Sequence, residues 1–163
     1  MTGELEAVNR YIRLHQHTFA DRLLELLRIP SISTQAEHRE DMQAAARWVA
    51  DQLCSAGLHV ELLPTQGHPA VFADSSPHGQ DGPVVLVYGH YDVQPVGDLS
   101  AWVSPPFEPA VRDGAVFARG AADNKGQFLA HIFAAQAWKA KRRSVRRIWG
   151  HSCSASRTAS PAM

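Results

Sequence analysis

Val84-Val-Leu-Val-Tyr88-Gly-His-Tyr-Asp-Val-Gln-Pro95 is the stretch on which the reading of this chain turns. Its first five residues are apolar and largely β-branched. That pattern predicts a strand buried on both faces, as in a mainly parallel sheet covered by helices. His90 and Asp92 follow it directly. In open α/β sheets, ligands gather beyond the carboxyl ends of strands. Residues two apart on an extended chain also share one side. A neutral imidazole is a good zinc ligand, and a nearby carboxylate can orient it. By itself the pair is a weak signal, and an ordinary turn is the better reading of it.

Upstream of this stretch the pattern is helical. Leu5, Val8, Ile12, Phe19, Leu23 and Leu26/Leu27 recur at helical spacing, and Pro30 stops them, which predicts a long amphipathic helix over 4–28. His15 and His17 lie two apart and point in different directions, so both are expected on the surface. Thr34-Gln-Ala-Glu37 has capping-box spacing ahead of a second helix. Met42, Ala45/Ala46, Val49 and Leu53 form that helix's inward face, and Gly57 is placed to end it. Cys54 lies beside the face and reads as packing. His59–Leu63 and Ala70–Ala73 read as short strands, and the stretch 74–83 as a loop rich in Ser, Pro, Gly and Asp.

Downstream, Trp102-Val-Ser-Pro-Pro-Phe107-Glu-Pro109 is a stiff extended loop. Its aromatic groups suit either a cleft wall or the edge of the core, and composition favours the core. Ala115–Ala118 reads as a further strand. Phe128, Leu129, Ile132, Phe133 and Trp138 mark a third helix opened by Asp123. Asp123 suits a plain helix N-cap. It also suits a carboxylate facing two metal ions, since ions roughly 3.5–4 Å apart need a bridging group. Helices alternating with short strands predict an α/β fold, here an incomplete layered sheet with flanking helices.

YGHYDVQP, WVSPPFEP and DGAVFARGAADNKG, in that order and spacing, resemble the M20 family of zinc metallopeptidases, which includes amidohydrolases and deacylases. The YDVQP and DNKG wording is most similar to the dipeptidase and carnosinase branch. The resemblance implies a metal-dependent hydrolase of dipeptides or short peptides that uses two zinc ions. His90 would ligate one zinc, Asp123 would bridge both, and Asp92 would be the active-site aspartate that hydrogen-bonds the His90 imidazole. It further implies a cis bond between Asp123 and Asn124, and a homodimer for the intact enzyme. An amidohydrolase or deacylase of the same family, or a non-catalytic binding module, is the alternative.

The resemblance runs to about Trp138. Family members continue with a Glu-Glu pair that supplies the general base and a zinc ligand, but residues 139–163 contain no Asp or Glu. Residues 1–138 hold 9 basic and 16 acidic residues, and residues 139–163 hold 7 basic and none acidic. The chain therefore divides into 1–138, the N-terminal part of a catalytic domain, and 139–163, a basic tail read as disordered or out of frame. Arg142, Arg143, Arg146 and Arg147 would line one helical face. A solvated tail is a simpler reading of them than a nucleic-acid contact. His151 and Cys153 have no completing ligand pair. No apolar run approaches the roughly 20 residues of a membrane span. The polar, acidic start and the two cysteines fit a cytoplasmic protein. With so few ligands and no base, this chain is expected to have little or no peptidase activity of its own.

Overall fold

Three helices carry the structure, a computed structural model that describes residues 2–75 and 84–143. The expected loop over 76–83 and the tail from 144 onward lie outside the described residues. Helix α1 spans Thr2–Leu27, α2 spans Arg39–Ser55 and α3 spans Lys125–Arg143. Between them lie two antiparallel ribbons. Strand β1 (His59–Leu63) pairs with β2 (Ala70–Asp74), and β3 (Ala110–Arg112) pairs with β4 (Ala115–Phe117). The α/β class holds.

Helices α1 and α2 end where their sequences dictate. Pro30 stands three residues past the end of α1. Helix α2 closes on Gly57, whose φ of 82° is open to glycine at little steric cost. Gly57 N–H donates to Cys54 O at 2.8 Å and Leu58 N–H to Leu53 O at 3.1 Å, the paired bonds of a Schellman ending. The capping box does not form. Residues Ala36–His38 make a 3-10 turn instead, and no side chain caps α2 from His38. The His38 ring meets Asp41 in the first turn at 2.7 Å.

Leu26, Val49, Ala56, Phe128, Leu129 and Ile132 form the core where the three helices meet, with Leu23, Trp48, Val71 and Tyr91 packed around it. Fully burying an aliphatic or aromatic side chain of this size stabilises the fold by about 1.5–3 kcal/mol. Phe19 of α1 stacks on Phe133 of α3 with ring centroids 4.1 Å apart. Leu5, expected inward, is exposed. His15 is half-buried rather than on the surface, stacked on Tyr11 at 4.0 Å, while His17 is exposed as expected.

The stretch 84–88 departs most from expectation. It forms no ladder with any described residue, and Val84 and Leu86 are 91% and 87% exposed. A run of β-branched residues is buried only if strands flank it and helices cover it, and the described residues supply neither. The ladders that do form are both antiparallel. Among the described residues the one parallel contact is an isolated bridge between Ile32 and Val93. It sets the corner after α1 alongside the chain that carries His90 and Asp92. Strand β3 was not anticipated. It is three residues long and turns into β4 through Asp113-Gly114, at φ 49° and 77°, the Asp-Gly signature of a tight hairpin.

Candidate metal centre

His90 and Asp92 lie on one side of an extended segment and Tyr91 on the other, as the period of such a chain requires. The Tyr91 ring packs on the core, and its hydroxyl donates to Pro69 O at 2.5 Å. Burial and the neighbouring Asp92 push the Tyr91 phenol up to about 12. This anchor leaves the His90 imidazole facing away from the core, 38% exposed.

The imidazole stands between two carboxylates. Its Nδ1 lies 3.1 Å from Asp92 Oδ1, and its Nε2 lies 3.1 Å from Asp123 Oδ1. Asp123 comes from the far end of the sequence motif, 33 residues on, and its side chain is 82% exposed. The structure therefore brings together all three residues singled out from sequence. It also bears on the helix-cap reading of Asp123. Phe128 N–H donates to Asn124 O at 3.1 Å, so Asn124, not Asp123, caps α3. The Asp123 carboxylate faces His90. The peptide bond between Asp123 and Asn124 is cis, as the resemblance implies.

Two glycines allow this convergence. A β-carbon at Gly89 would sit 2.5 Å from Phe128 Cβ, and one at Gly120 would sit 2.7 Å from Val93 Cγ1. The His90 segment therefore lies flat against the first turn of α3, and the loop before α3 lies flat against Val93. Gly89→Ala forces these surfaces apart. Overpacking of this kind costs about 1–3 kcal/mol. Denaturant titration should register that loss, together with a displaced His90 resonance by NMR.

Sequence reasoning missed Lys125 and Ser33. Lys125 is fully buried, and its ammonium donates to Leu26 O at 3.1 Å and Ile29 O at 2.7 Å at the end of α1. Burial pulls it down to about 7, against the opposing pull of Asp92 and Asp41. A lysine in a first helical turn reads as solvated, so its pattern carried no signal. Ser33 Oγ donates to Asp92 Oδ2 at 2.5 Å. Trp102, expected as either wall or core edge, is half-buried. Its indole N–H donates to Val96 O at 2.9 Å, and the Arg119 guanidinium lies 5.2 Å from the ring centroid.

Chemically, the site offers an imidazole whose Nε2 meets one carboxylate oxygen at 3.1 Å, with a second carboxylate at its Nδ1. Among the described residues no group of three or more His, Cys, Asp or Glu is arranged to hold a metal ion. The donor types nevertheless fit zinc, which accepts His nitrogen and Asp oxygen.

Residues 86–150 match the model of the peptidase family M20/M25/M40. The fold is similar to that of human carnosine dipeptidase 1, at TM-score 0.75 and 34% identity over 85% of this chain and 31% of that one. It is similar to Dug1p, a di-peptidase from Saccharomyces cerevisiae, at TM-score 0.73 and 28% identity over 87% of this chain and 32% of that one. It is also similar to Sso-CP2, an M20 family metallo-carboxypeptidase from Sulfolobus solfataricus, at TM-score 0.69 and 34% identity over 76% of this chain and 28% of that one. The chain thus spans about a third of the length of each.

Proposed function

Because the chain belongs to peptidase family M20/M25/M40, we propose that its 163 residues carry one part of the active site of a metal-dependent dipeptide hydrolase. The observation that carries this reading is the His90 ring held between Asp92 and Asp123 at 3.1 Å on either side. Two of the similar structures are named as dipeptidases, which favours dipeptides as the substrate class over the amides of an amidohydrolase or deacylase.

Zinc is the ion we propose, held by His90 and Asp123, with Asp123 shared by a second ion. Bound there, zinc would polarise a peptide carbonyl as a Lewis acid. The chain's own residues have the following parts. Asp92 accepts the Nδ1 proton of His90, which fixes the tautomer and leaves the Nε2 lone pair for the ion. Asp123 offers a largely exposed carboxylate, so both oxygens are open to a cation. Tyr91 and Lys125 hold the two ligand-bearing segments to the helical core.

A catalytic zinc takes three protein ligands and a water, more than this pair provides. Residues 139–163 have no Asp or Glu and so hold no Glu-Glu pair. Residues 139–143 nevertheless complete α3, and Lys139 Nζ donates to Gly57 O at 2.9 Å, so the helix runs past the expected boundary at 138; we read the 163-residue chain by itself as at most feebly active. The setting we propose is cytoplasmic, with homodimers among the longer enzymes of the family. Among the described residues no helix is long and apolar enough to cross a membrane.

A chimera tests the reading. Residues 84–126 of this chain would replace the matching segment of human carnosine dipeptidase 1. The chimera is expected to hydrolyse a dipeptide in the presence of zinc, and its Asp123→Ala form is expected to lose that activity. A chimera whose Asp123→Ala form works equally well would overturn the proposal, as would steady dipeptide turnover by the isolated 163-residue chain.

A further inference from the structure

We propose that Ser33 is a positioning residue for the metal centre, and that it acts by holding the Asp92 carboxylate in the one orientation that orders the His90 ring. The inference rests on the metal-site reading above for its consequence, though not for its geometry. Asp92 has two oxygens with distinct partners. Oδ1 faces His90 Nδ1 at 3.1 Å, and Oδ2 accepts from Ser33 Oγ at 2.5 Å. With both oxygens engaged, the carboxylate cannot rotate without losing one partner. Hydroxyl-to-carboxylate bonds are among the stronger neutral-to-ion bonds, at the short end of O–H···O distances.

Ser33 can act this way because it is itself fixed. Val93 N–H donates to Ser31 O at 2.8 Å, and Ser31 Oγ donates to Tyr91 O at 2.7 Å. The His68 ring meets Ser33 O through Nε2 at 2.9 Å. The corner 31–33 is thus laced to 91–93 along the parallel bridge Ile32–Val93. Ser31 and Ile32 are buried, and Lys125 grips the carbonyls just before them. Ser31 serves the backbone of this contact, whereas Ser33 reaches the carboxylate. The consequence is a relay running Ser33, Asp92, His90, Asp123. Removing its first member frees the Asp92 carboxylate to rotate, lets the His90 ring reorient, and weakens the ion's hold. Losing a partner that orients a metal-ligating histidine in this way typically costs about 10–100-fold in metal affinity.

The test compares Ser33→Thr, which keeps the hydroxyl, with Ser33→Val, which has nearly the same shape without it. Long-range proton–nitrogen NMR of the metal-free 163-residue chain reads the His90 tautomer, with His90→Gln assigning the signal. Zinc alone is then titrated into each variant. The parent and Ser33→Thr are expected to share one sharp set of His90 ring signals. Ser33→Val is expected to show averaged ring signals and about 10–100-fold weaker zinc binding. A Ser33→Val chain with the parent's His90 spectrum overturns the proposal, and so does a Ser33→Thr chain that behaves like Ser33→Val. If zinc fails to bind even the parent while Ser33→Val still shifts the His90 signals, the positioning role stands and the metal reading falls. Simple loss of packing would lower the thermal midpoint of Ser33→Thr and Ser33→Val alike without changing the tautomer.

Discussion

Leu129→Ala should remove about 2–5 kcal/mol of folding stability, the range for emptying a well-packed aliphatic site. Leu129 is 1% exposed and lies in the core shared by α1, α2 and α3. Its neighbours Phe128 and Ile132 on α3 face Leu26 of α1 and Val49 of α2, so few side chains are free to close the gap. A domain of this size has only about 5–15 kcal/mol in total, so the loss would be a large share. The effect should reach the metal centre, because α3 begins two residues after Asp123. Urea unfolding followed by circular dichroism would give the figure. A midpoint equal to the parent's would mean that α3 does not pack as described.

Most of the helical framework was legible because its signals are local. Helical spacing with a proline stop located α1, and Gly57 located the end of α2. Strands β1, β2 and β4 followed from short β-branched runs between turn residues. The failures share a cause, which is that the deciding partner is distant in sequence. Val84–Tyr88 has the composition of a buried strand, but composition encodes a demand for partners and not their presence. Strand β3 is too short to have a period. Thr34–Glu37 matches a capping pattern, yet Ser33 beside it is drawn onto Asp92, and the chain turns tightly before α2 begins.

The candidate site was legible for a different reason. His90 and Asp92 obey the alternation of an extended chain, so their shared side could be read directly. That Asp123 meets them was not readable from spacing and came from the family resemblance, as did the cis bond after it. Ser33 and Lys125 escaped because each acts on a group far along the chain, 59 residues away for Ser33 and Asp92. Short polar residues near a proline carry no periodicity that would reveal such a contact.

The second large effect concerns the metal itself. Asp123→Ala removes the only carboxylate, among the described residues, that meets His90 Nε2. A single imidazole then remains at the site, and one donor cannot hold zinc against water. His90→Ala should be equally damaging, since it leaves an isolated carboxylate at the surface. On the proposed reading both donors serve one ion, so the two losses should not add. Neither substitution touches the helical core, so the fold should persist, as circular dichroism would verify.

The most direct measurement is a calorimetric zinc titration of the parent chain, Asp123→Ala, His90→Ala and the double variant. The chain has nine histidines, so background binding is expected in all four and the difference carries the meaning. A binding event present in the parent, absent from each single variant, and no further reduced in the double is the predicted result. Equal zinc binding by the parent and both single variants would contradict a metal centre built on His90 and Asp123.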